Sequence, residues 1–434
     1  MSKKLFVIVL ALLFLCCKDD GITPPTNPLQ LTVEDVSCVE ATLKISLAGG
    51  QASRTVTVKR NDSVVTTITL TTVDTLVTDV NLQPKNTYTY TANAGSWKTS
   101  VQITTLDTTS HTIHWQAPDT LGVYGLIRDV WVFSRDNAWA VGEIILPDST
   151  GKPDMSNPYN AAHWDGNKWE IKKITVNFHG NIITPPLNGI FAFSQTDIWL
   201  SSGVPVHGNG DVWTQYHLYD MGVLSSNDGS INKLWGINSS DLFFVGNKGT
   251  IVHYFNGTWT KMESHTTVDL QDIWGIDNEH VWATGTNIGD GHSVVLQYNG
   301  KQWTTIYDNT NKPPNEKFGF RSVWTDRIDK IFLVGDAYSS MINLNTNKLQ
   351  LLNNNLQKWV ATRIRATNRR DIFQVGNAGE TIHFNGLNWH LYPELFNAAS
   401  ARFFTIFPTN DFIFIGGYSY TGLNGIPIVI RGYR

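Results

Sequence analysis

Residues Leu234–Trp259 read LWGINSSDLFFVGNKGTIVHYFNGTW. A first apolar run ends in the short polar turn Asn238-Ser239-Ser240, and a second closes on Gly246. A third, Ile251 to Phe255, stops at Asn256-Gly257, and Trp259 begins a fourth. Short β-branched and aromatic runs bounded by turn residues are strand signals, and the i, i+3, i+4 spacing of a helix is absent. Asn-Gly accepts the positive φ angles of a type I′ hairpin, and Asp165-Gly166, Asn299-Gly300 and Asn385-Gly386 occupy the same place in three other copies. The frame recurs from Trp131 to Gly142, Phe191 to Ser202, Trp274 to Gly285, Trp324 to Gly335, Arg365 to Gly376 and Thr405 to Gly416. With the terminal glycine as the mark, and Ser202 standing in once, the steps are 60, 44, 39, 50, 41 and 40 residues.

A period of about 40 to 45 residues holding four strands predicts the blades of a β-propeller. The seventh unit stops at Ile430-Arg431-Gly432-Tyr433-Arg434, one strand short, while Thr112-Ile113-His114-Trp115-Gln116 precedes the first unit as a lone outer strand. Pairing the two removes two exposed sheet edges. The expectation is a seven-bladed β-propeller over residues 111–434, closed by its N-terminal strand. The repeat resembles the "DIWAVG, then GxIxHYNGxxW" propeller repeats of bacterial secreted proteins, a likeness that implies fold and no activity.

Residues 29–107 carry shorter alternating runs such as Thr55-Val56-Thr57-Val58 and Thr87-Tyr88-Thr89-Tyr90, with a turn at Asn61-Asp62. Leu82-x-Pro84-x-Asn86-x-Tyr88-x-Tyr90-x-Ala92 resembles the tyrosine corner of a fibronectin type III domain, with Ile45 where that family places a core Trp. The fold class expected is therefore all-β, a small immunoglobulin-like sandwich ahead of the propeller.

The chain begins with two lysines and the apolar run Leu5 to Leu15, long enough for a signal peptide and too short to span a bilayer. Cys16-Cys17-Lys18-Asp19-Asp20 follows and resembles a bacterial lipoprotein signal, with the charged export signal of Bacteroidetes-type surface lipoproteins. Residues 1–17 read as the signal, Cys17 as the lipidated residue with Cys16 as the alternative, and 18–28, rich in proline, as a stiff linker. The resemblance implies an outer-membrane protein, held by its lipid alone and displayed at the cell surface, with the periplasmic face as the alternative.

Of 434 residues 16% are charged, 12% are aromatic and 16 are Trp, too apolar for a disordered chain. A net charge of -4 provides no basic surface for phosphate backbones, so nucleic acid is not an expected partner. Cysteines only at 16, 17 and 38 provide no disulfide framework and no zinc spacing. No metal or other cofactor is expected.

Twelve Trp fall at repeat positions and read as packing between blades, and His163, His253 and His383 read as structural. Length variation concentrates in the second-to-third and fourth-to-first connections, which leave a four-stranded meander on one face. Long loops on a rigid scaffold are where binding residues lie. Those insertions hold Asp148, Asp154, Tyr159, Phe178, His179, His207, Asp211, Asp290, His292, Phe318, Tyr418 and Tyr420, with Trp213 at the end of one. Aromatics among carboxylates, amides and imidazoles suit a glycan or a protein ligand, and Tyr159, His207, Trp213, Asp290, His292, Tyr418 and Tyr420 are the residues expected to bind it. Arg365, which stands where the other copies have Trp, Phe or Thr, and Arg363, two residues before it on the same face of an innermost strand, are expected at the central channel. Catalytic motifs are absent, as is the aspartate box of sialidases. The leading expectation is non-catalytic binding; a glycoside hydrolase or lyase with its site at the channel mouth, and a structural or assembly factor, are the alternatives.

Overall fold

The computed structural model describes residues 27–48, 54–336, 339–352, 356–396, 401–421 and 424–434. The signal peptide and the cysteines 16 and 17 lie outside the described residues. The chain divides into two compact units, one ending at Leu106 and one spanning Asp107–Arg434.

The first unit has two antiparallel sheets. One orders Leu29–Val36, Glu40–Leu47 and Asp74–Val80, and the other orders Ser63–Leu70, Arg54–Arg60, Thr87–Ala94 and Trp97–Thr104. Alternation explains the core: Tyr88, Tyr90, Ala92 and Ala94 are buried, and join Leu43, Ile45 and Val56 in one cluster drawn from both sheets. Buried hydroxyls need partners. That of Tyr90 donates to Asp79 at 2.7 Å, which also holds Arg60, and that of Tyr88 accepts the Gln83 amide at 2.8 Å. Cys38 is buried here.

The second unit repeats one motif, an antiparallel meander of four strands. Its first strands are Tyr124–Ser134, Gly189–Ser194, Ile231–Asn238, Leu270–Gly275, Phe320–Trp324, Ala361–Asn368 and Ala401–Pro408. Each lies against the first strand of the next sheet, and Ala401–Pro408 lies against Tyr124–Ser134. In the last sheet the fourth place belongs to His114–Trp115, with Trp115 opposite Gly432 and His114 opposite Tyr433. Trp199, Trp282, Trp303 and Trp324 are fully buried, as repeat-position packing requires.

The last repeat departs from the sequence register. Phe407, not Thr405, faces the second-strand aromatic, and Gly417, not Gly416, occupies the glycine place. Several other sheets have a bulge at the first turn, as at Gly236/Asn238 and Ala366/Asn368. The last sheet has none there, so its turn is one residue shorter and the count slips.

Candidate functional site

Six of the seven first strands bulge at one level. Ile127 pairs with Gly142 and Asp129 with Val141, which leaves Arg128 as the extra residue. The same irregularity sets apart Asn232, Gln271, Arg321, Thr362 and Phe404. In the second sheet Asn188, directly before the first paired residue, takes that place. The bulge also explains the repeat glycine. A Cβ on Gly246 would collide with the Ser230 carbonyl, and one on Gly335 with the Gly319 carbonyl.

A bulge re-aims its side chain. All seven extra residues, with Lys233, Ile288, Arg363 and Arg402, surround one hollow of about 280 Å³. Ile288 belongs to the connection Asn287 to His292, so the hollow opens on the loop-bearing face. Five of its lining side chains are cations and none is a carboxylate. Burial lowers Arg128 from its ordinary value, opposed by Glu143. Neither Arg128 Nε nor Arg402 Nε has a hydrogen-bond partner among the described residues, although both are buried atoms.

One residue deeper lies a charged layer. Asp129 accepts the Ile190 amide at 2.9 Å, the Thr405 hydroxyl at 2.8 Å and the Lys233 ammonium. Asp272 accepts Arg365 at 2.7 and 2.9 Å, pairs with Arg363 at 2.5 Å and takes the Ser322 hydroxyl. These two buried carboxylates thus join first strands from all seven sheets. Desolvation pushes both carboxyls up. Lys233 and Arg363 outweigh it at Asp129, Arg363 and Arg365 at Asp272, and both are held below the usual carboxylate range. Beyond this layer Trp131, Phe191, Trp235, Trp274 and Phe407 line a second cavity, of about 100 Å³. Arg365 lies 4.9 Å from the Trp274 ring there.

Arg363 and Arg365 therefore lie in this charged layer, and both pair with the one carboxylate of Asp272, two sheets away. The loop residues expected to bind a ligand do not converge. His207 lies on the third strand Pro205–Gly208, with its Nε2 2.9 Å from Asp197 and its ring stacked on Trp199 at 4.1 Å. It is another copy of the repeat histidine, matching His253 on Asp241 and Phe243, and His383 on Asp371 and Phe373. His163 makes the equivalent bond to Asn137 at 3.0 Å. Trp213 starts a fourth strand and packs 6.3 Å from Trp139, so it occupies a repeat position rather than a loop.

Tyr418 and Tyr420 lie on the strand Phe412–Thr421, hydroxyls 2.6 Å apart, where a loop was expected. Tyr159 begins the strand Tyr159–Trp164, under the Lys173 ammonium at 4.9 Å. Asp148, Asp154 and Asp290 cap their own turns, accepting from Thr150, Ser156 and the His292 amide. His292 lies 3.2 Å from Asp308. Asp211 is an exposed loop residue, and Phe318 donates its amide to the Tyr307 hydroxyl.

Sequence reasoning missed Asp129, Lys233, Asp272, Arg128, Arg321 and Arg402. Asp129, Lys233 and Asp272 had a signal in one column: the residue two before the strand aromatic reads Asp129, Gly189, Lys233, Asp272, Ser322, Arg363 and Thr405.

No protein-family model matches the chain, and no curated protein matches it. Among solved structures it is similar to "YCF48 bound to D1 peptide", at 14% identity and a TM-score of 0.54, over 74% of this chain and 95% of that one. It is also similar to the WD40 β-propeller domain of Doa1, at 12% identity and a TM-score of 0.50, over 73% of this chain and 97% of that one. The fold is all-β and of the β-propeller type. Among the described residues no helix is long and apolar enough to cross a membrane.

Proposed function

We propose that this chain is a non-catalytic binding protein whose loop-bearing face takes a protein or polysaccharide segment that carries carboxylates. The observation that carries the reading is the mouth: Arg128 and Arg402, with Arg321 held by Asp336 at 2.9 Å, around a hollow with no acidic lining residue. Arg128 and Arg402 border the hollow, and their Nε atoms have no hydrogen-bond partner among the described residues; a ligand carboxylate in the hollow would meet these guanidiniums with charge-assisted hydrogen bonds. A similar structure bound to a peptide supports a protein ligand.

Hydrolysis of a glycoside needs two carboxyl groups about 5 to 9 Å apart, and the mouth lining has none. A lyase needs a base beside the cations. Tyr418, next to Arg402, is pushed up by burial and by its bond to Tyr420, the wrong direction for a base at neutral pH. Binding is thus favoured over both enzymatic readings.

The test is calorimetric titration of acidic peptides and of uronic-acid oligosaccharides against their neutral counterparts. The Arg128→Ala/Arg402→Ala double variant is expected to weaken the acidic ligand by at least about a hundredfold, at about 1.5–3 kcal/mol for each of two hydrogen bonds to a charged group. Equal binding of neutral and acidic ligands, or no loss in the variant, overturns the reading.

The architecture we propose around this site is a seven-bladed propeller clasped by His114–Trp115, behind a fibronectin type III-like spacer. The sheet order and the Tyr88 hydrogen bond of the first unit support the spacer. An acyl chain on Cys17 would hold the protein at the outer membrane. Mass spectrometry of the mature N-terminus is expected to find an acylated cysteine, and an unmodified N-terminus further along the chain refutes the anchor.

A further inference from the structure

The fourth-to-first connections on either side of the second sheet meet over one cluster. His179 lies in the turn of the hairpin Val176–Phe178/Asn181–Ile183. His217 and Asp220 lie in the turn that follows the strand Trp213–Gln215, where the Met221 amide donates to the His217 carbonyl. One ring nitrogen of each histidine and one Asp220 carboxylate oxygen all lie within 4.8 Å of one another. His179 Nε2 is 2.7 Å from Asp220 Oδ2. His217 Nε2 is 3.1 Å from the Asn177 carbonyl oxygen. That oxygen only accepts, so His217 Nε2 donates to it and Nδ1 is the ring nitrogen left for another partner. The Phe178 ring stacks on His179 at 4.4 Å and lies 5.4 Å from His217, limiting how far either imidazole swings.

We propose that His179, His217 and Asp220 form a binding site for a first-row divalent cation of the zinc class. Two imidazoles with one carboxylate suit that class, whereas magnesium and calcium take oxygen donors. Ligand bonds of about 2.0 to 2.2 Å around a tetrahedral ion place donors about 3.3 Å apart. The separations here bracket that value, and Asp220 is exposed, so a small rotation of its side chain closes the site around the two restrained imidazoles. A His217–carbonyl hydrogen bond is the outer-shell contact that orients a metal-bound imidazole. Three protein donors leave a coordination position open to water or ligand, on the loop-bearing face. The cation would tie two connections from different sheets together.

Zinc chloride titrated calorimetrically into the full-length chain, stripped with EDTA, is the experiment. One ion per chain is expected, with a Kd near or below about 1 µM. His179→Ala and His217→Ala are each expected to weaken binding at least about tenfold, and Asp220→Asn by a similar factor. His265→Ala, at another exposed histidine, should change nothing. Cobalt in place of zinc should produce the visible bands of a four-coordinate site, lost in His217→Ala. Melting in EDTA checks the fold of each variant; should His179→Ala melt early, His179→Gln keeps the bond to Asp220 without the imidazole and replaces it. A wild-type Kd weaker than about 0.1 mM, or undiminished binding in both histidine variants, overturns the proposal.

Discussion

Replacing Asp272 by Ala probes the charged layer most directly. Asp272 has no exposed surface, and Arg363 and Arg365 both rely on its carboxylate, as does the Ser322 hydroxyl. Removing one partner of a buried ion pair costs about 3 to 5 kcal/mol, because the remaining charge stays buried without compensation. At about 2.1 cal/mol/K per residue, the unit Asp107–Arg434 unfolds with an entropy near 0.7 kcal/mol/K, so the melting temperature should fall by about 4 to 7 °C. Differential scanning calorimetry at neutral pH reads the shift. The triple variant Asp272→Leu/Arg363→Met/Arg365→Leu removes all three charges and should recover most of the loss, since an apolar replacement needs no counter-charge. Were Asp272→Ala to melt within about 1 °C of the parent, the guanidiniums would have other partners and the account of this layer would fail.

The clasp should respond to acid. Burial, then repulsion from His383 and His390, pushes His111 down to about 4, and burial also lowers His383. Between pH 6.5 and about 4 the unfolded chain takes up a proton that folded His111 refuses, so stability falls as pH drops through that window. Asp371, held below the usual carboxylate range despite desolvation, contributes above an unfolded value near 3.8 and is lost only at lower pH. Melting followed from pH 7.5 to 4.5 should show a decline that His111→Phe flattens, and an equal slope in the variant would refute this cause. Deleting residues 111–118 should lower the melting temperature of the whole second unit by removing the strand opposite Gly432 and Tyr433; an unchanged transition would reject the clasp.

What could be read from the sequence follows from what repeats. Aromatics, glycine and Asn-Gly turns recur because every sheet has to pack and turn alike, so their period exposed the β-propeller type. His207 was legible in principle, standing eight residues after Trp199, much as His253 stands ten after Phe243. The shorter second-to-third connection disguised it as loop. The buried carboxylates were harder. A bulge inserts one residue into a period-two strand, so Arg128 and Asp129 look like a solvated pair although one borders the hollow and the other is buried. The partner of Asp272 stands 93 positions away, a distance at which no local pattern announces a contact. The His179–His217–Asp220 cluster has the same difficulty, since two separate connections contribute to it.

The bulge level has a consequence for how this scaffold diversifies. Seven positions, one per sheet, border a shared hollow while taking little part in ladder pairing or the cores between sheets. Arg128, Asn188, Asn232, Gln271, Arg321, Thr362 and Phe404 already differ in charge, length and polarity, although the strands that present them are near replicas. Exchanging Asn232 for Lys, or Gln271 for Glu, changes the charge of the hollow at one position and leaves the repeat glycine behind it untouched. The lining of the hollow is thus free to vary while the framework stays constant.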